Sequence, residues 1–196
     1  MKKSRSNLRV VSHIAVLALV LVIAVVATFS WYNRSASSFE SGSTLKYTQT
    51  GNVSGKSGDI QTYVGVDNNG IITYETALTD GMSVTTEPGA VNYFKTVITD
   101  SSNTGDSMIS LYLEDFACST SMGNAIHIGL VEPEKTYKAF TGTANGSNYV
   151  IDQLCLIDNV FIENSGTVEV FWFIEIDKNY SGTGSINLGT LHLVYN

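Results

Sequence analysis

Proline is nearly missing from this chain, with Pro88 and Pro133 the only two in 196 residues. Cysteine is equally scarce, and histidine numbers three. Two cysteines, Cys118 and Cys155, cannot build the framework of a disulfide-stapled domain. In an exported chain they either pair with each other or stay as thiols in their apolar stretches. His13, His127 and His192 form no His-Glu-x-x-His pattern, and there is no Cys-x-x-Cys pair, so a zinc site has no support. A Gly-x-Ser-x-Gly elbow is also missing, and neither cysteine has a catalytic context. Basic residues thin out after the first thirty positions. Arg34, Lys46, Lys56, Lys95, Lys135, Lys138 and Lys178 stand there against all eighteen acidic residues, a balance of −11. So acidic a portion repels phosphate backbones and anionic membrane surfaces, which excludes nucleic acid as a partner. The charge serves solubility.

One long apolar run is present. Residues 10–29 read VVSHIAVLALVLVIAVVATF, without an acid, lysine or arginine. Twenty helical residues reach about 30 Å, one hydrocarbon thickness. The purely apolar heart, 14–27, is closer to a signal-peptide core. Lys2, Lys3, Arg5 and Arg9 precede the run and only Arg34 follows closely, which puts the N-terminus in the cytoplasm and the remainder outside. Trp31 and Tyr32 sit where an interfacial aromatic belt would lie, or begin the mature chain. Val25-Val26-Ala27 offers a cleavage point after Ala27. The expected organisation is a basic cytoplasmic segment over 1–9, a signal or transmembrane helix over 10–31, a flexible tether or first strand over 32–59, and an extracytoplasmic domain over 60–196. The product is either a single-pass membrane protein or a secreted one.

Beyond the leader no helical period is sustained, and strand signals recur. The 32–59 stretch is rich in Ser, Gly, Asn and Thr, and only Leu45 and Tyr47 read as strand-like. Strands over 61–66 and 71–78 flank Asp67-Asn68-Asn69-Gly70, whose Asn-Gly pair is a hairpin signal. Further strands are expected over 91–99, 108–116, 125–131, 136–140, 149–157, 160–163, 167–177 and 186–195, with 142–148 a loop. Asp158-Asn159 is read as a turn, with one longer strand as the alternative. In 108–116, Ile109, Leu111 and Leu113 share one face, and Met108, Tyr112 and Phe116 the other. In 167–177, Val168, Val170, Trp172, Ile174 and Ile176 form a core face. The opposite face is aromatic at its centre, acidic at its ends and partly covered. The fold class is therefore all-β, an antiparallel β-sandwich or jelly roll after one N-terminal hydrophobic helix. The carboxylates Glu114-Asp115, Glu132/Glu134 and Glu175/Asp177 read as solvated positions, and the 100–106 loop lacks EF-hand spacing. Tyr63, Tyr74, Tyr93, Tyr112, Tyr137 and Tyr149 lie in expected strands, where tyrosine is common and can also stack on sugars. No catalytic residue, cofactor or metal is expected.

Three stretches resemble the TasA/camelysin-type surface and matrix-fibre proteins of Gram-positive bacteria. They are Val26-Ala27-Thr28-Phe29-Ser30-Trp31-Tyr32 at the leader boundary, Glu87-Pro88-Gly89 followed by 91–100 and Asn103-Thr104-Gly105-Asp106, and Ile162-Glu163-Asn164-Ser165-Gly166-Thr167 before a hydrophobic strand. The chain has Asn33-Arg34-Ser35 where that family carries an aspartate-threonine pair. The resemblance implies a jelly-roll subunit that polymerises by lending an N-terminal strand to its neighbour, with 32–59 as the donor. The expected function is a non-enzymatic cell-surface or biofilm-matrix structural protein that self-associates. The alternative is a membrane-tethered binding module for a glycan, peptide or protein.

Overall fold

The computed structural model describes residues 45–51, 56–79, 84–102, 104–182 and 184–196. The segment 1–9, the helix expected over 10–31, Ala27 and the tether up to residue 44 lie outside them. Among the described residues no helix is long and apolar enough to cross a membrane.

Two sheets make a β-sandwich. The first runs β1 (Leu45–Gly51), β12 (Gly189–Tyr195), β5 (Ser107–Ser119), β9 (Asn148–Ile162) and β8 (Thr143–Asn145), with β11 (Ile186–Asn187) paired to the far end of β5. The second runs β3 (Ile71–Ala77), β2 (Gly58–Asn68), β4 (Val91–Asp100), β10 (Thr167–Ile176), β6 (Ile126–Leu130) and β7 (Thr136–Tyr137). Every pairing is antiparallel except β1 with β12. The one helical turn among the described residues is the 3-10 turn Thr120–Met122.

Alternation explains the core. On β10, Trp172, Ile174 and Ile176 are fully buried. Trp172 stacks on Phe94 of β4 with ring centroids 4.3 Å apart. Its indole N–H donates to Thr96 Oγ1 at 2.9 Å, and Thr96 Oγ1 lies 3.0 Å from Thr62 Oγ1. A buried indole needs such an acceptor, and two inward threonines on neighbouring strands supply it. The β2–β3 hairpin has Asn69 at φ 58 and Gly70 at φ 87, the double positive φ of a type I′ turn. The Gly70 amide donates to Asp67 Oδ1 at 2.7 Å.

Four expectations need correction. The 142–148 stretch holds β8, which folds back on β9 through Gly146 at φ 62. The turn at Asp158-Asn159 is absorbed into one strand, β9, with Asn159 at φ 50 and a register shift opposite Ile109 and Leu111. The last strand is two, β11 and β12, parted before Gly189 at φ 73, where a Cβ would come within 2.1 Å of the Glu114 carbonyl oxygen. Phe116 is fully buried on the core side, not on the face of Met108 and Tyr112. Asp115 takes φ 54 and faces outward beside Glu114, so the alternation resumes out of phase and turns Phe116 and Cys118 inward.

Candidate functional site

The first sheet ends in a strand of a different kind from the rest. β1 pairs parallel with β12 in a seven-residue register from Leu45 opposite Gly189 to Gly51 opposite Tyr195. Leu45 is buried and Tyr47 remains 39 % exposed. β12 is otherwise a core strand, with Leu191, Leu193 and Tyr195 fully buried. Its second edge would be a row of unmet N–H and C=O groups if β1 left. From β1 the chain crosses to β2 in the other sheet through residues 52–57, and it is pinned at Lys56. There the Lys56 ammonium donates to the Gly105 carbonyl oxygen and lies 3.7 Å from Asp100 Oδ2, both side chains being buried. Asp100 Oδ1 accepts from the Ser102 hydroxyl at 2.6 Å and the Ser102 amide at 2.9 Å. Burial alone would raise the Asp100 carboxyl. The Ser102 bonds, the Lys56 charge and the Ser165 amide outweigh burial and hold it below its ordinary value. Sequence reasoning missed this pair, because a lysine in a Ser/Gly-rich stretch carries no sign of burial.

The outer face of the second sheet carries the chain's aromatic residues in transverse rows. One row reads Gly65, Tyr93, Phe173, Gly129, Tyr137 across β2, β4, β10, β6 and β7. The next reads Tyr63, Lys95, Phe171. The glycines make room for rings. A Cβ on Gly65 would meet Tyr74 and Tyr93 at 2.7 Å, and one on Gly129 would meet the Phe173 ring at 2.8 Å. Tyr74 meets Phe171 edge-on at 5.4 Å, and Tyr137 meets Phe173 at 5.5 Å and His127 at 5.7 Å. Phe173 is fully buried beneath this cover, whereas Tyr137 is 56 % exposed. Burial, helped by Glu132 and Tyr93, pushes the Tyr74 hydroxyl up to about 12.

Charges on this face are neutralised in place. Lys95 Nζ donates to Glu169 Oε1 at 3.2 Å, and Lys135 Nζ donates to Glu175 Oε2 at 2.6 Å. Glu175 Oε2 also accepts from the Tyr137 hydroxyl at 2.9 Å. Burial raises the Glu175 carboxyl, but these bonds with the Lys135 and His127 charges lower it on balance. Beside Tyr137 opens a cleft of about 750 Å³, walled by His127, Tyr137, Glu175, Asp177, Lys178 and Asn179. Asp177 Oδ1 accepts from the Asn179 backbone and side-chain amides at 2.7 and 3.0 Å.

The two cysteines are free thiols. Cys118 pairs with Tyr149 and Cys155 with Tyr112, so six rungs at about 3.3 Å part them, well beyond disulfide reach. Of the two readings open in the sequence, separate thiols is the one this fold has. Cys118 is buried in the core, and burial pushes its thiol up to about 11. The histidines stand on opposite sheets. His127 lies across from Glu175, and His192 Nδ1 donates to Glu114 Oε1 at 2.8 Å, which also accepts from Gln153 Nε2 at 2.8 Å. Tyr63, Tyr74, Tyr93 and Tyr137 come together on the aromatic face. Tyr112 lies on the other sheet, and Tyr149 packs over Gly123 and Gly142, its hydroxyl accepting from the Gly142 amide. Among the described residues no three His, Cys, Asp or Glu side chains cluster closely enough to hold a metal ion.

No family model matches the chain, and no curated protein matches it. Solved structures similar to it include AvmM, which catalyses macrocyclization in alchivemycin A biosynthesis. It has 8 % identity over 78 % of this chain and 94 % of that one, at a TM-score of 0.36. Another is a mutant of carbohydrate-binding module CBM3b from the cellulosomal cellobiohydrolase 9A of Clostridium thermocellum. It has 14 % identity over 70 % of this chain and 93 % of that one, at a TM-score of 0.31. At these scores neither likeness carries an argument about fold or function.

Proposed function

We propose that this chain is a non-enzymatic cell-surface or extracellular-matrix structural protein, a fibre subunit that assembles by strand donation. In this reading the sandwich is a jelly roll of the TasA/camelysin type, exported behind the 10–31 segment and held at or released from the membrane. The observation that carries the proposal is the parallel seat of β1 on β12. Segment 45–51 of a second copy offers that seat the same main-chain groups and the same Leu45 as the chain's own segment. Exchange between copies therefore conserves the contacts, and concentration and the reach of the connector decide which form prevails. A chain that donates β1 also receives one, so no edge is left open within a growing fibre.

The test uses the register. Lys46 pairs with Thr190. Two chains, one carrying Lys46→Cys and the other Thr190→Cys, both in a Cys155→Ser background, are mixed and oxidised. Disulfide-linked dimers between the two variants, together with filaments of the wild-type chain in electron micrographs, are the expected result. A chain that stays monomeric at high concentration, and whose variants never cross-link between copies, refutes the reading.

A further inference from the structure

We infer that the aromatic face of the second sheet, with the cleft at Tyr137, binds a linear, uncharged polysaccharide laid across the strands. This inference rests on features remote from the β1 seat and does not depend on strand donation.

The face has the shape such a chain needs. Its aromatic residues follow the rungs of the sheet and not one strand, so they form a band from Tyr74 on β3 to Tyr137 on β7. Six strands about 4.8 Å apart make that band about 24 Å long. Glycine at both Gly65 and Gly129 keeps the band low, because any side chain there would displace a ring. A low, ring-lined strip suits the C–H faces of successive pyranoses, which are flat and weakly apolar. It leaves their hydroxyls directed sideways and toward solvent.

Position is fixed before any ligand arrives. Tyr137 is 56 % exposed, yet it is held at its hydroxyl by Glu175, which is in turn held by Lys135, and Phe173 and His127 flank the ring. A ring locked in this way loses little freedom when a sugar stacks on it. Both ends of the band offer polar groups for sugar hydroxyls. At one end the 750 Å³ cleft holds Asp177 and Asn179, which already hydrogen-bond each other, with the His127 imidazole across from them. At the other, a smaller hollow of about 300 Å³ beside Phe171 is walled by Glu132 and Glu169 among others. Carboxylate and amide groups next to an exposed ring are the combination that recognises vicinal hydroxyls.

Charge selects among polysaccharides. The lysines within the band, Lys95 and Lys135, are engaged by Glu169 and Glu175. Residues 31–196 carry a balance of −11. A uronate, sulfated or phosphate-bearing polymer meets repulsion and finds no cation to displace, whereas a neutral glucan, xylan or chitin meets none.

The test is depletion of the full chain, in a detergent without a sugar headgroup, onto microcrystalline cellulose, chitin, insoluble xylan and a β-1,3-glucan. Polygalacturonate serves as the polyanion. Retention on at least one neutral polymer is expected. Tyr137→Ala should weaken it by roughly tenfold or more, while Tyr137→Trp stays within about threefold of wild type. Thermal unfolding checks that Tyr137→Ala folds; if it does not, Asn179→Ala decides in its place, with a loss of the same sign. The inference is overturned by no retention on any neutral polymer, by retention that the deciding variant leaves unchanged, or by retention on polygalacturonate alone. A Tyr137→Ala chain that loses self-association and keeps its retention marks the ring as a contact between copies, and that also overturns it.

Discussion

Lys56 is the residue on which the first crossing of the sandwich depends. Its ammonium and the Asp100 carboxylate are taken out of water together, and their side chains are 2 % and 0 % exposed. Such a pair adds little net stability compared with apolar residues, yet removing one partner strands the other. Lys56→Ala should therefore destabilise the domain by about 3–5 kcal/mol, far more than an average surface lysine. Lys56→Met combined with Asp100→Asn should recover part of that loss, because the amide still accepts from Ser102 and no lone charge stays buried. Chemical denaturation of the two variants beside wild type gives the comparison. Equal midpoints for Lys56→Ala and wild type would mean that the pair is solvated and that the connector is not pinned there.

At the level of elements, the edge pairing of β7 on β6 depends on a residue with no side chain. A Cβ on Gly129 would stand 2.1 Å from the Thr136 carbonyl oxygen and 2.8 Å from the Phe173 ring. Gly129→Ala must push β7 away or tilt Phe173, a cost of about 1–3 kcal/mol for overpacking. Gly70→Ala is the contrast, with φ 87 and no atom within 4 Å of its Cβ, so it bears only the left-handed backbone penalty of about 1 kcal/mol. Urea midpoints should rank wild type above Gly70→Ala and Gly70→Ala above Gly129→Ala; the reverse order of the two variants would show that β7 packs loosely. The same elements show what a sequence exposes. The 71–78 strand and its Asn-Gly turn were legible because turn chemistry and alternation act locally, and β3 begins at Ile71 as expected. β10 was legible for the same reason, down to the inward face of Trp172. Phe116 was misplaced because a single positive φ at Asp115 reverses the alternation, and nothing in the residue types announces that. β8 was hidden in a Gly/Asn/Ser stretch whose pairing partner, β9, lies across a turn. The aromatic band was legible only as separate tyrosines. Which of them share a rung depends on the pairing of β2, β4, β10, β6 and β7, a long-range property that no local pattern encodes.

Across the whole molecule, ionised carboxylates tie distant parts of the sandwich together. Asp100 joins the end of β4 to the connector at Lys56. Glu114 links β5 to β12 through His192 and to β9 through Gln153. Glu175 links β10 to the β6–β7 edge through Lys135 and Tyr137. Burial works against ionisation in all three, and in all three hydrogen bonds and neighbouring charges prevail, so each folded carboxyl sits below its reference of 3.8 or 4.5. The unfolded chain therefore takes up protons at a higher pH than the folded one does. Their contribution is fully present above about pH 5 and is lost as pH falls through the reference values and then the lower folded ones. The thermal midpoint should stay nearly level between pH 6 and 8 and drop steadily from about pH 5 to pH 3. A Glu114→Gln/Glu175→Gln variant should start lower at pH 7 and fall less steeply, so that the two curves converge in acid. Scanning calorimetry across that range decides the matter. Parallel curves would place the acid-sensitive groups elsewhere, and a midpoint that rises toward pH 3 would mean that relief of the domain's own negative charge outweighs these local bonds.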